Sequence, residues 1–170
     1  MSERGPSTTS APPAGQAAAS AWSDATLVAA LCAIDPTCGG ASVRAGAGPV
    51  CDEWLALLKS LLPAGAPVRR VPTHVHDDRL LGGLDLVATL RAGRPVVEQG
   101  LLAAAHGGLV VVAGAERMGT LVAARLATAS ESGEVVVERD GVTSRSPARF
   151  VIAALDEGSA DDERPPTVLL

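Results

Sequence analysis

The sequence predicts an α/β fold in which a parallel sheet is flanked by helices and carries an inserted β-hairpin. Three observations predict it. Two continuous apolar runs, Leu109–Ala113 and Phe150–Leu155, lack polar alternation, the pattern of strands covered on both faces. Helical segments lie between the candidate strands, and such alternation builds parallel sheets. A Gly-rich turn at 45–49 separates a short strand from an amphipathic helix, and open α/β sheets bind ligands at the carboxyl ends of their strands.

Taken in order, residues 1–21 are rich in Ser, Thr, Pro, Ala and Gly and read as a disordered tail, leaving 22–170 as one domain. Asp24 is placed to cap a helix over 25–33, which Asp35-Pro36 and Gly39-Gly40 end. A strand at Ala41–Arg44 leads into the turn Ala45-Gly46-Ala47-Gly48-Pro49. A helix then runs from near Cys51 to Leu62, with Trp54, Leu55, Leu58, Leu61 and Leu62 on one face. Val68–Val71 reads as a strand and Pro72–Arg79 as a loop. Leu84–Leu90 and Glu98–Ala105 read as short helices. After the apolar strand at 109–113 comes a helix over 119–131. Asp140-Gly141 between Glu134–Arg139 and Val142–Arg145 is a strong hairpin signal. Phe150–Leu155 is the second buried strand. The chain then turns acidic and Pro-rich and closes on Thr167-Val-Leu-Leu170, which reads as a helix cut short in a piece of a longer protein.

Composition narrows the function. The 170 residues are 47% hydrophobic but hold only two Trp, one Phe and no Tyr, so the core must be aliphatic. A net charge of −5 without a basic run argues against nucleic acid or an anionic membrane as the main partner. No apolar stretch suits a signal peptide or a membrane span, and the expected location is the cytoplasm. Cys32, Cys38 and Cys51, spaced C-x5-C-x12-C, fit neither a zinc pattern nor a disulfide framework and read as free thiols.

Strand, Gly-rich turn and helix together make the context of a phosphate-binding P-loop, whose working form is G-x-x-x-x-G-K-[ST]. Its glycines let backbone N–H groups wrap phosphate, its Lys neutralises charge and its hydroxyl holds Mg²⁺. With Ala45 at the first glycine, Val50 falls at the second, Cys51 at the lysine and Asp52 at the hydroxyl position. All four are lost. Val50 resists the positive φ open to Gly. Asp52 and Glu53 take up the positive end of the helix dipole that phosphate would use. Two like unit charges about 4 Å apart at an effective dielectric near 20 repel by roughly 4 kcal/mol.

Residues 74–113, HVHDDRLLGGLDLVATLRAGRPVVEQGLLAAAHGGLVVVA, resemble the AAA+ module shared by the I and D subunits of magnesium chelatase. The matches are Asp78-Arg79-Leu80, Gly82, Leu84-Asp85-Leu86, Leu90, Gly93, Gly100-Leu101-Leu102-Ala103, Ala105-His106 and Gly108. The hairpin segment matches too, from Val136-Val137-Glu138-Arg139 through Pro147-Ala148-Arg149-Phe150. The resemblance covers about 25–170. Its departures point to the D subunit. The Walker B strand ends at Ala113-Gly114, without the metal-organising Asp and water-activating Glu, and the second apolar strand ends Ala154-Leu155-Asp156-Glu157, without a sensor Asn. The resemblance implies a non-hydrolysing platform that forms a hetero-oligomeric ring with the I-type ATPase subunit and acts with the porphyrin-binding H-type subunit. Their joint reaction inserts Mg²⁺ into protoporphyrin IX in chlorophyll or bacteriochlorophyll synthesis. It implies no cofactor on this chain, with ATP and Mg²⁺ used by the ATPase subunit.

Other residues have competing readings. Arg79 is a salt-bridge former or a subunit-interface residue. Arg139, Arg145 and Arg149 form either a solvated basic face or a hairpin that contacts a partner. His74 and His76 with Asp77 and Asp78 read as a solvated loop in preference to a metal site. Glu116 lies beyond the strand end, which weighs against a displaced catalytic carboxylate. Cys51 at a helix N-terminus could be a reactive thiol, but Asp52 and Glu53 oppose it. His106 is expected at a helix terminus. The alternative function is an active AAA+ ATPase, of the chelatase I type or MoxR-like, with an atypical P-loop; the nearest Lys, Lys59, is two turns into the helix. A plain α/β interaction module is the third reading.

Overall fold

The computed structural model describes residues 14–46, 48–139, 142–160 and 162–169. Four parallel strands form the central sheet: β1 (Gly40–Arg44), β2 (Val68–Arg70), β5 (Gly108–Ala113) and β8 (Phe150–Asp156), in the order β1-β8-β5-β2. Gly40 pairs with Ile152 and Arg44 with Asp156 across β1 and β8, while Gly108 pairs with Phe150 across β5 and β8.

Period-two alternation along these strands separates two cores. Leu109 and Val111 of β5, with Val151, Ala153 and Leu155 of β8, pack against Ala29, Cys32, Trp54, Leu55 and Leu58. Val110, Val112, Ile152 and Ala154 point the other way, onto Val122, Ala123 and Leu126. The first layer is α1 (Ala14–Ile34) with α2 (Pro49–Leu61); the second is α5 (Thr120–Ser132). Cover on both sides is why these strands read as uninterrupted apolar runs.

The first helix corrects the sequence reading. It starts at Ala14, so residues 14–21, expected in a tail, are helical, and Asp24 lies inside the helix and caps nothing. Alanine is the strongest helix former, and an Ala-rich stretch reads as tail only if that preference is underweighted. Ser23 and Thr26 donate their hydroxyls to the carbonyls of Ala19 and Trp22, four residues back, which contains their usual competition with the helix. Trp54 Nε1 donates to the Ala25 carbonyl at 2.8 Å and fixes α1 on α2. Leu61, expected on the buried face of α2, is exposed.

The segment between β2 and β5 also differs. The expected loop at 72–79 ends in a short helix, α3 (Asp77–Leu81). The expected helix over 84–90 is β3 (Gly82–Leu84) followed by α4 (Leu86–Ala92), whose N-terminus Asp85 caps by accepting from Ala88 N at 2.8 Å. The expected helix over 98–105 is β4 (Val97–Gln99) and then a single 3₁₀ turn at Ala103–Ala105. β3 and β4 pair antiparallel, and glycine permits the approach: a Cβ on Gly82, whose φ is +98°, would lie 2.4 Å from the Glu98 carbonyl oxygen. The hairpin is found as expected, β6 (Glu134–Arg139) with β7 (Val142–Pro147). Its turn, Asp140-Gly141, lies outside the described residues, as does Ala47.

Candidate functional site

The Gly-rich loop lies where the sequence puts it, after β1 and before α2, at the carboxyl end of the sheet. Pro49 opens α2 at a position where a missing N–H costs nothing. Ala45 N donates to the Asp156 carbonyl at 3.0 Å, tying the start of the loop to the end of β8. Val50 is 55% exposed and helical, so no left-handed turn is demanded of it; the loop has been rebuilt into a form that suits Val.

Cys51, in the lysine position, is buried. Its thiol faces the carbonyls of Ala45 and Gly46, each 3.8 Å away. Burial raises the thiol's pKa, and the charges of Glu157 and Asp52 raise it further, so the group is neutral. Both effects weigh against a reactive thiolate. Asp52 lies exposed in the first turn of α2, where a phosphate-binding loop needs a hydroxyl.

The neighbouring strand end is altered in the same sense. β5 stops at Ala113, and Gly114 turns the chain with φ +66°. A Cβ on Gly114 would sit 2.1 Å from Arg117 Nη2. The guanidinium of Arg117 therefore fills the space beside Gly114, the position that the resemblance assigns to the end of Walker B. It is held by two carboxylates: Nη1 donates to Glu116 Oε1 at 2.5 Å and Nη2 to Glu157 Oε2 at 3.1 Å. Glu116, whose side chain is only 4% exposed, also accepts from Glu157 N at 2.9 Å. In sequence Glu116 stands too far past the strand to matter. The 3₁₀ turn at Ala115–Arg117 brings it back, but its oxygens are spent on Arg117 and the Glu157 backbone.

A second ion pair closes the other side. Arg44, at the end of β1, reaches the buried Asp156 at 3.5 Å and donates to the carbonyls of Glu163 and Ala160. Asp156 also accepts from Gly158 N, and Glu163 accepts from Ser159 N and Ala160 N, bonds that hold its carboxyl below its usual pKa. The acidic segment after β8 thus folds back over the strand ends. Arg44, Arg117 and Asp156 escape the sequence reading, although an Arg ending one strand and Asp-Glu ending its neighbour is an available signal.

An ATP–Mg²⁺ group does not fit these residues. Cys51 supplies no cation, Asp52 no neutral hydroxyl and Gly114 no carboxylate, and both nearby guanidinium groups are bonded to the protein itself. Among the described residues no three His, Cys, Asp or Glu side chains gather as a metal site; His74 is exposed and His76 precedes α3 as its N-cap.

The interface candidates separate. Arg79, in the middle of α3, is exposed beside an open groove lined by Asp78, Glu98, Gln99 and Leu101, with its carbonyl accepting from Leu101 N. Arg145 pairs with Glu134 across the hairpin at 2.8 Å. Arg149 is exposed, and its backbone N donates to His106 Nδ1 at 3.1 Å, so His106 pins the approach to β8 from the end of its 3₁₀ turn. For Arg139 the strand position is described but not the side chain.

A Gly-rich strand-to-helix turn at the carboxyl edge of this parallel sheet, with an added hairpin, defines a P-loop-type α/β module of the AAA+ class. No protein-family model matches the chain. It is 37% identical over 150 residues to the magnesium-chelatase 60 kDa subunit of Cereibacter sphaeroides, covering 88% of this chain and 23% of that protein. With the 67 kDa subunit of Chlorobaculum parvum it shares 33% over 134 residues, covering 79% and 22%. With the 38 kDa subunit of C. sphaeroides it shares 32% over 144 residues, covering 82% and 43%. A solved structure of the complex between subunits BchI and BchD of magnesium chelatase superposes with a TM-score of 0.68 at 28% identity, over 81% of this chain and 53% of that one. The chain belongs to the family of magnesium chelatase AAA+ subunits, and it spans less than half the length of these curated relatives. No described helix is long and apolar enough to cross a membrane.

Proposed function

We propose that this chain is the AAA+ part of a D-type magnesium chelatase subunit, a platform that neither binds nor hydrolyses ATP itself. It assembles in the cytoplasm with an I-type ATPase subunit in a hetero-oligomeric ring and supports Mg²⁺ insertion into protoporphyrin IX by a porphyrin-binding H-type subunit, for (bacterio)chlorophyll synthesis. The observation that carries the reading is Arg117, whose guanidinium lies in the space beside Gly114 and is bound to Glu116 and Glu157. A hydrolysing nucleotide site of this family needs that position for its water-activating carboxylate. Identity does not decide between subunit types, since the matches to the 60 kDa and 38 kDa proteins are of similar strength. The loop chemistry favours the D type.

The test is a titration with a fluorescent ATP analogue, with and without an I-type subunit. The isolated chain is expected to show no micromolar binding and to co-purify with the I-type subunit. Charge reversal at Arg79, Arg145 and Arg149 is expected to weaken that association while leaving the circular dichroism unchanged. Micromolar binding by the chain alone would favour the active-ATPase reading instead.

A further inference from the structure

Two thiols outside the nucleotide loop lie side by side. Cys32 is buried in the last turns of α1, against the core that holds Trp54. Cys38 ends the 3₁₀ turn Pro36–Cys38 and is exposed. Its Sγ points at Cys32 Sγ from 3.7 Å. The turn between them is well defined: Asp35 accepts from the backbone N and the hydroxyl of Thr37, at 2.9 and 2.6 Å, and Cys38 N donates to the Asp35 carbonyl at 3.2 Å. Gly39 then leads directly into β1, the strand that carries the Gly-rich loop. Cys38 also borders a cavity of about 230 Å³ lined by Gly40, Ser42, Ser130 and Glu131, which gives a small reagent access.

We propose that Cys32 and Cys38 are a thiol–disulfide modification site, closed by a small disulfide of the glutathione type into a bond that ties the end of α1 to the lead into β1. The exposed Cys38 thiolate attacks one sulfur of the oxidant, forming a mixed disulfide and releasing one small thiolate. Cys32 then gives up its proton to solvent and attacks the Cys38 sulfur, displacing the second small thiolate. The two cysteines lose two electrons, the oxidant gains them, and the two protons pass to the released thiolates. Entry is one-sided. Burial, and then the bond from Cys38, push the Cys32 thiol up to about 12, so Cys32 is protected from direct attack and reacts only through its neighbour. Cys51, also buried and raised, stands outside the pair.

Oxidised glutathione is added to the folded chain, the product is alkylated, and intact and peptide masses are read. The wild-type chain is expected to lose two hydrogens and yield a Cys32–Cys38 linked peptide that a dithiol reverses. Cys32→Ala is expected to stop at one glutathione adduct on Cys38, and Cys38→Ser to take up none. After oxidation, labelling of Cys38 by iodoacetamide is expected to fall at least about tenfold. A wild-type chain that keeps a stable glutathione adduct, as Cys32→Ala does, would overturn the proposal. So would a link to Cys51, or no reaction at all. None of these outcomes depends on whether the chain binds ATP.

Discussion

Restoring the lysine alone should not restore nucleotide binding. In Cys51→Lys the new ammonium emerges beside carboxylates already in place: Asp52 in the same helical turn, and Glu157, whose charge is felt at the Cys51 sulfur. It pairs with them before it can meet a phosphate. A phosphate oxygen brought within about 4 Å of Asp52 at an effective dielectric near 20 meets roughly 4 kcal/mol of repulsion. At about 1.4 kcal/mol per decade, that is about a thousandfold in Kd. The single variant is therefore expected to remain without micromolar affinity. Val50→Gly, Cys51→Lys and Asp52→Thr together remove the carboxylate and free the loop backbone, and should bind about a thousandfold tighter than Cys51→Lys. The assay is anisotropy of a fluorescent ATP analogue at fixed Mg²⁺, repeated at low and high salt because the repulsion is screened. Full recovery by Cys51→Lys alone would refute the reasoning, since it would show that Val50 and Asp52 are no barrier.

Three further outcomes are expected. Gly114→Ala places a side chain at φ +66° against Arg117, and the left-handed backbone alone costs about 1–2 kcal/mol. Tm should fall by about 2–4 °C per kcal/mol, and less for Gly114→Asn, which tolerates that region; equal Tm for all three proteins counts against the strain argument. Trp54→Ala removes a buried ring and its bond to the Ala25 carbonyl and should destabilise by about 3–5 kcal/mol, with hydrogen exchange rising first in α1. Alkaline stability should follow the buried thiols. Cys32 titrates at about 12 when folded, against an ordinary value of 9.0, so between these values the unfolded chain loses a proton that the folded chain keeps. Stability from this group is complete below pH 9 and declines as pH rises toward 12. Melts at rising pH should show Tm falling above that point, and Cys32→Ala should fall less steeply than wild type.

Much of the sheet was legible because its strands are covered on both faces, which leaves an unbroken apolar signature at 109–113 and 150–155. The hairpin was legible from Asp140-Gly141 between alternating strands. The segment from 77 to 105 was not. β3 and β4 are three residues each, too short for any period to show, and their pairing depends on Gly82 and Gly100, whose need for close backbone approach is visible only in three dimensions. The first helix is easily misread because Ala-rich sequence serves helix and low-complexity tail alike. At the site, the departures from the P-loop and Walker B patterns are visible in the sequence, whereas the ion pairs of Arg44 with Asp156 and of Arg117 with Glu157 are not. Arg44 and Asp156 are far apart in sequence and meet only because β1 and β8 are neighbours in the sheet.

That difference bears on how the loop lost its residues. A motif degraded only by neglect leaves polar groups unmatched, and unmatched buried polar groups are costly. Here the charged groups at the strand ends are matched. The acid missing at Gly114 makes room for Arg117, the charge of Arg117 is met by Glu116 and Glu157, and Arg44 is held by Asp156 and the carbonyls of Ala160 and Glu163. No buried side-chain nitrogen or oxygen among the described residues lacks a partner. The strand ends that a nucleotide would otherwise bridge are joined by the protein's own ion pairs. On the proposed D-type reading, these pairs give the strand ends their partners from within the chain.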